Sequence, residues 1–369
     1  MKMIPINKPL LGEEEVEAVV IVLRSGVLTS RTKSGSTVGR FEDAFAKFVK
    51  AKHAFAVNSG TSALHLSLLA AEVGPGNEVI VPSFTFVSTA ETVVLVGAKP
   101  VFVDINLDTY NIDPEKTGKA ITKNTKAIIP VDLFGLPAET KPIKETAQEH
   151  GLAVIEDAAQ AHGAQYAGKP AGSFADLACW SFYASKNMTT GEGGMITTDS
   201  DEYAEKLPYM RSHGEKEEYV SSMIGHNFRM PEMEAAIGCV QLEKLPNFLK
   251  QRRRNAERIA SKLEGIKELQ LPTVPKGYKH SWYLFTVRLK NTDNKKRDKT
   301  IAELRKMGIG ATAYYRVPIH LMPFYSKFSK HGLPNTEKAA RQVFSLPVHP
   351  AVTTEQIDYI ASSLQKLLE

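Results

Sequence analysis

From about residue 54 to 200 the chain alternates short apolar runs with stretches of helical spacing, and this alternation constrains the fold most. AFAVN (54–58) precedes TSALHLSLLAAEV, and EVIVP (78–82) precedes VSTAETVVLVG. PVFVDI (100–105), AIIPVDLFG (127–135) and LAVIED (152–157) continue the series, with a helical ETKPIKETAQEHG before the last. LACWSF (177–182) and GMITT (194–198) add two further strands. Near-continuous apolar strands separated by helices predict βα units around a parallel sheet covered on both faces.

Past residue 245 the texture changes. A helix over roughly 246–264 leads to WYLFTVRL (282–289), then a helix in DKTIAELRKMG (298–308), loops rich in Pro and aromatics, and a final helix from Thr354. The expectation is a large domain over 1–245 and a smaller α+β domain over 246–369, which suits a chain of 369 residues. LKNTDNKKRDK (289–299) is expected to be a surface turn.

Composition narrows the function class. The formal charge of +5 is spread along the chain, and its densest run is Gln251-Arg252-Arg253-Arg254. That run sits in LPNFLKQRRRNAERIASKLEGI, whose apolar spacing reads as the solvated face of a helix, with the field around an anionic ligand as the alternative. Basic and aromatic residues do not interleave, so nucleic acid is not an expected partner. Apolar stretches fall short of the ~18 residues of a membrane span, and MKMIPINKPLLGEEEVEAVV has no signal-type core. A cytoplasmic protein without a membrane partner is expected. Cys179 and Cys239 lie in apolar surroundings and read as buried free thiols. No metal site is expected.

Three stretches carry chemistry. In NSGTSALHL (58–66) a strand ends at Asn58 and a helix begins near Thr61, which gives either simple capping by Ser59 or Thr61 or an anion site at the helix N-terminus. In VIEDAAQAHGA (154–164) Asp157 falls at a strand's C-terminal end, where open α/β sheets place their ligands. It could cap the next helix, or bind a ribose hydroxyl, a metal or a protonated ring nitrogen. Gln160 points to the same side, and His162 reads as structural. In SFYASKNMTTGEGG (181–194) Lys186 precedes its glycines, the wrong order for a Walker-type phosphate loop, and no Gly-x-Gly-x-x-Gly joins the first strand and helix.

A helix N-terminus for one phosphate, a strand-end carboxylate and a lysine together match pyridoxal 5′-phosphate. The lysine bonds its aldehyde and the carboxylate partners its ring nitrogen. SFTFVSTAE (83–91) offers Phe84 and Phe86 as a lid on the ring or as plain core.

These stretches, in this order, resemble the DegT-type (DegT/StrS) sugar aminotransferases among the fold-type-I pyridoxal phosphate enzymes. The similarity extends to SGVLTS (25–30), VDLFGLPAE (131–139), GHNFRMPEMEAAIGCVQLEKL (225–245), VPIHLMPFY (317–325) and SLPVHP (345–350). The resemblance implies a mixed, mostly parallel seven-stranded sheet between helices, with a smaller C-terminal α+β domain. It implies that Lys186 bonds the cofactor, Asp157 partners the pyridinium nitrogen, Gln160 lies near the ring hydroxyl and Phe86 stacks on the ring. Thr61, Ser62 and Ser181 would hold the phosphate, with Asn227 reaching over from a second subunit, so a homodimer with shared sites is implied.

The implied reaction moves an amino group from glutamate to a keto group of a nucleotide-linked sugar, most directly C4 of a 4-keto-6-deoxy hexose. A 3-keto sugar, a keto-cyclitol, or a regulatory protein that only binds the cofactor are the alternatives. Arg229, Tyr315, His320 and Arg31 are the substrate-side candidates, and TSRTKSGSTVGRFE brings Lys33 alongside Arg31. Where the family often reads TSGPK before FE, this loop is longer, which leaves the sugar open rather than the reaction type.

Overall fold

A computed structural model of the chain describes residues 3–30, 34–329 and 331–368. Its main sheet has seven strands: β1 (His53–Val57), β2 (Glu78–Pro82), β3 (Lys99–Val103), β4 (Thr125–Ile128), β5 (Ala153–Asp157), β6 (Leu177–Ser181) and β7 (Gly194–Thr198). They lie in the order β1-β7-β6-β5-β4-β2-β3. β3, β2, β4, β5 and β6 pair in parallel, whereas β7 is antiparallel to both β1 and β6. The sheet is therefore mixed rather than wholly parallel. A parallel return needs a crossover of a dozen or more residues, usually helical, and the segment between β6 and β7 contains no helix.

This reversal places the chemistry. Because β7 runs backwards, its first residue, Gly194, sits opposite both Val57 at the end of β1 and Ser181 at the end of β6. Asp157 pairs with Cys179 one strand over. The NSGTS turn, Ser181, the glycines and Asp157 thus meet at one edge of the sheet.

Helices cover the sheet: α1 (Glu13–Ser25), α2 (Thr37–Val49), α3 (Gly60–Ala70) and α4 (Ser88–Leu95) are the first four. α3 buries Ala63, Leu64, Leu66, Ser67, Leu68 and Ala70, so it is apolar all round and wedged in the interior. Val57, Val79, Val81, Ile129, Ile155 and Ile196 pack with it.

Toward the C-terminus, strands Leu269–Gln270, Phe285–Leu289 and Val343–Leu346 form a three-stranded antiparallel sheet. It has its own core, including Phe285, Ile301, Phe344, Ile357 and Ile360. The helix expected from 246 is the second half of one helix, Glu232–Leu263, which passes through Pro246 without ending. Its first half buries Ala235, Leu242 and Leu245 with the Phe41 and Trp180 cluster, and its second half buries Ala256, Ile259 and Leu263 against the smaller core. The change of texture near 245 marks a change of packing partner, not a helix start.

Two polar segments also differ from expectation. Within QRRR, Arg252 is buried and its Nη1 donates to the carbonyls of Trp282 (3.1 Å) and Tyr283 (3.2 Å), so only Arg253 and Arg254 lie on an exposed face. The 289–299 stretch is not all turn. A helix runs over Asn294–Lys306, capped by Asp293, whose Oδ1 accepts from the Lys296 N–H at 3.0 Å. Cys179 is buried, Cys239 half-buried, and both are free. Among the described residues no helix is long and apolar enough to cross a membrane, and no group of three His, Cys, Asp or Glu could hold a metal.

Candidate active site

The first turn of α3 begins the site. Ser59 caps it, its Oγ accepting from the Ser62 N–H at 3.0 Å. Capping and anion binding are therefore compatible here, because the cap uses Ser59 and leaves the N–H groups of Gly60 and Thr61 at the helix N-terminus. Ser62 Oγ donates to Asn58 Oδ1 at 2.7 Å, and Thr61 Oγ1 lies 2.9 Å from Ser88 Oγ. The glycines are there for closeness. A Cβ on Gly60 would come within 2.9 Å of Ser181 Cβ, and one on Gly194 would collide with the Ser59 carbonyl. Ser181 Oγ accepts from the Tyr183 N–H at 3.4 Å. The result is a narrow cradle of hydroxyls and amides.

Asp157 closes the other side. It is buried; Oδ2 accepts from Thr89 Oγ1 at 2.9 Å and Oδ1 from the Ala159 N–H at 3.3 Å. Burial pushes its carboxyl above the usual range, while the Thr89 hydroxyl, the Ala159 N–H and the positive charge of Lys186 pull it back. Gln160 is buried beside it; Oε1 accepts from the Phe134 N–H at 2.8 Å and Nε2 donates to Tyr315 OH at 3.3 Å.

Lys186 is half-buried in the connection between β6 and β7, its N–H donating to the Tyr183 carbonyl at 2.9 Å. Its Nζ stands 4.9 Å from the centre of the Tyr283 ring, a cation over an aromatic face. Tyr283 is in turn fixed by a 2.9 Å hydrogen bond between its hydroxyl and Ser185 Oγ.

Of the two phenylalanines, Phe84 is core, packed near Tyr110, Phe134 and Tyr315. Phe86 is 56% exposed with its ring 6.4 Å from that of Tyr315, so it alone presents a face to a ligand. Tyr315 is half-buried, and desolvation raises its hydroxyl pKa, which keeps it a neutral phenol.

His320 needs correction. It does not line an open cleft: it is 1% exposed, its Nδ1 is 2.7 Å from Ser83 Oγ and its Nε2 is 3.5 Å from Glu337 Oε1. Burial lowers its pKa, and it ties its loop to the end of β2. Arg229 is half-buried and donates from Nη1 to Ser212 Oγ at 2.8 Å. Its backbone bridges to Val57, while Asn227 is exposed and bridges to Ser212. Arg31 and Lys33 lie outside the described residues. His162 is fully buried among Phe45, Trp180 and Phe182, and burial pushes its pKa down to about 3, so it is a neutral packing residue.

Thr89 and Tyr283 escaped the sequence reading. Thr89 stands in the same SFTFVSTAE run as Phe86, as the second residue of a helix that opens with hydroxyls, which is the only signal it gives. Tyr283 reads as a strand aromatic.

The donor set fits pyridoxal phosphate: a cradle for a phosphate, a buried carboxylate for a ring nitrogen, and a lysine for an aldehyde. The DegT/DnrJ/EryC1/StrS aminotransferase family model matches residues 9–365. A UDP-N-acetyl-3-dehydro-α-D-glucosamine 3-aminotransferase from Acidithiobacillus ferrooxidans is 43% identical, over 86% of this chain and 84% of that protein. GDP-perosamine synthase of Caulobacter vibrioides is 41% identical, over 90% and 91%. The structure of DesV from S. venezuelae superimposes with a TM-score of 0.92 at 37% identity, covering 97% of this chain and 95% of that one. Other structures on this fold are solved in their pyridoxal or pyridoxamine phosphate forms. The chain belongs to the DegT/DnrJ/EryC1/StrS family of pyridoxal phosphate-dependent aminotransferases.

Proposed function

We propose that this enzyme transfers the amino group of glutamate to C4 of a nucleotide-linked 4-keto-6-deoxy hexose, as a cytoplasmic homodimer with shared active sites. The observation that carries amino transfer is Lys186, held over the Tyr283 ring with its charge acting on buried Asp157. The cofactor, when bound, supplies the aldehyde that takes up the amino group and a protonated ring that draws electrons from the substrate carbon.

The chain's own residues do the rest. Lys186 would hold the cofactor's aldehyde carbon, and its amine, when free, would move a proton to and from the substrate carbon. The Tyr283 face limits where its Nζ can travel. Asp157 keeps the ring nitrogen protonated, and Thr89 sets the orientation of that carboxylate. The α3 N-terminus, Thr61, Ser62 and Ser181 hold the phosphate, Gln160 meets the ring hydroxyl and Phe86 covers the ring. Asn227, exposed on its own subunit, reaches the partner's phosphate site. Arg229 and Tyr315 are the described side chains assigned to the nucleotide sugar.

The name of the Caulobacter relative supports a nucleotide sugar as acceptor. That of the Acidithiobacillus relative favours a second reading, amination at C3. Mass spectrometry after incubation with glutamate and a panel of nucleotide-linked 4-keto-6-deoxy and 3-keto hexoses, with a keto-inositol as outgroup, separates them. The expected product is the 4-amino sugar. Exclusive amination of the 3-keto substrates selects the second reading, and amination of the inositol alone overturns both.

A further inference from the structure

Away from the Lys186 edge, a cavity of about 310 Å³ opens where the C-terminal end of α2, the 163–171 segment, the middle of the Glu232–Leu263 helix and the Tyr278–Lys279 strand converge. None of the residues assigned to cofactor or substrate lines it. Its floor is apolar and aromatic, with Phe48, Trp180 and Leu249, and its rim carries Lys250, Arg253 and Lys279. Gly163, at φ +76°, lets the 163–171 segment touch the helix, since a Cβ there would collide with Leu249. The Gly163 backbone thus packs directly on the Leu249 side chain, which lines the same cavity.

The rim charges stand out on their own helix. Lys244 pairs with Glu14 and Glu15, while Arg258 and Lys262 share Asp358. Between them Lys250 and Arg253, one turn apart and both exposed, meet no carboxylate among the described residues, and neither does Lys279 opposite. Three unpaired cations around a low-dielectric floor focus positive potential on the opening. A cavity of this size lies at the small end of those that enclose organic ligands, and its aromatic lining suits a planar body.

We propose that this cavity is a second ligand site, which takes an aromatic organic phosphate: the ring system enters against Trp180 and Leu249, and the phosphate stays between Lys250, Arg253 and Lys279. Both nucleotides and pyridoxine-type phosphates have this chemistry. The site does not depend on which sugar the enzyme aminates.

Equilibrium dialysis on the cofactor-loaded enzyme tests it, with labelled UMP, GMP and pyridoxine 5′-phosphate as probes and uridine and inorganic phosphate as competitors. The expected result, for at least one probe, is a class of site beyond that of the Lys186 cleft, and this class alone weakens about tenfold or more in the surface double variant K250E/R253E. The KM for the sugar substrate stays unchanged in that variant. Salt should weaken this class, and neither uridine nor inorganic phosphate alone should displace the probe efficiently. Binding of every probe that is equal in native and double-variant enzyme overturns the proposal. So does displacement by inorganic phosphate as effective as by the probe itself, because the floor would then read nothing. Preference for UMP or GMP over pyridoxine phosphate identifies the ligand as a nucleotide, and the reverse preference as a cofactor-like phosphate.

Discussion

Glu156 and Asp157 are adjacent on β5, so they leave the strand on opposite faces, and both are buried. Glu156 faces Asp132, which is wholly buried and whose Oδ2 has no other hydrogen-bond partner among the described residues. The Gly172 N–H donates to Glu156 Oε1 at 2.6 Å and the Ala138 N–H to Asp132 Oδ1 at 2.8 Å. Nothing but a proton can join two carboxyls: burial raises both pKa values, and Asp132, facing the Glu156 charge, keeps its proton. Asp157 is desolvated too, yet it faces Thr89, the Ala159 N–H and the Lys186 charge, all of which favour its ionised form. An acid opposite an acid becomes a neutral structural tie, whereas an acid opposite donors and a lysine keeps a charge to offer a ligand.

Lys186→Ala strikes the functional face hardest. It removes the amine that holds the cofactor and the charge that acts on Asp157, so turnover should fall by roughly 10³-fold or more. The visible absorbance band of the holoenzyme should vanish while the melting temperature moves little. A retained band would refute the assignment of Lys186. Asp157→Asn should cost about 10²-fold in kcat, because the amide keeps the shape and loses the charge. Equal losses from Asp157→Asn and Glu156→Gln would erase the contrast between the two faces.

Much of this was legible in the chain. The strands of the main sheet announce themselves as apolar runs because both their faces are covered. β7 reads the same way whichever direction it runs, so its reversal showed only as a helix-free connection after β6. Asp157 and Gln160 stood out by their place at and just after a strand end, and Lys186 by glycines on the wrong side for a phosphate loop, whereas Ser181 entered only through the resemblance. Thr89 and Tyr283 did not, since a hydroxyl in a helix's first turn and an aromatic in a strand serve packing at any spacing. Their roles exist only where Thr89 meets Asp157 and Tyr283 meets Lys186. His320 and Arg252 misled for the opposite reason: polar residues in a loop and in a charged run suggest solvent, and both are buried.

Thr89→Val sharpens the comparison from within. The loss of one hydrogen bond to a buried carboxylate costs about 1.5–3 kcal/mol, so kcat should drop about tenfold or more if Asp157 must be charged. The Thr89 hydroxyl lowers the Asp157 pKa, so its removal raises that pKa further above the usual range. The charged form is then reached only at higher pH, and the acid limb of the kcat–pH profile should shift upward. A profile unmoved on the acid side would show that Thr89 packs without tuning.

Glu156→Gln should have the smallest effect on activity, within about twofold, because it lies on the face turned away from Lys186. Its signature is stability against pH. Both acids have raised pKa values in the folded chain, so the unfolded chain ionises first, from about pH 4 upward, and native stability declines as pH climbs through the raised values. The substituted side chain cannot ionise; its amide nitrogen can donate to Asp132 while its oxygen still accepts from Gly172. The variant should therefore be less stable than native at about pH 5 by roughly 1 kcal/mol and should close or reverse that gap by about pH 8. Denaturant melts at the two pH values measure it. A gap that stays constant would mean that Asp132 and Glu156 share no proton, and that this face of β5 is held by the Gly172 and Ala138 amides alone.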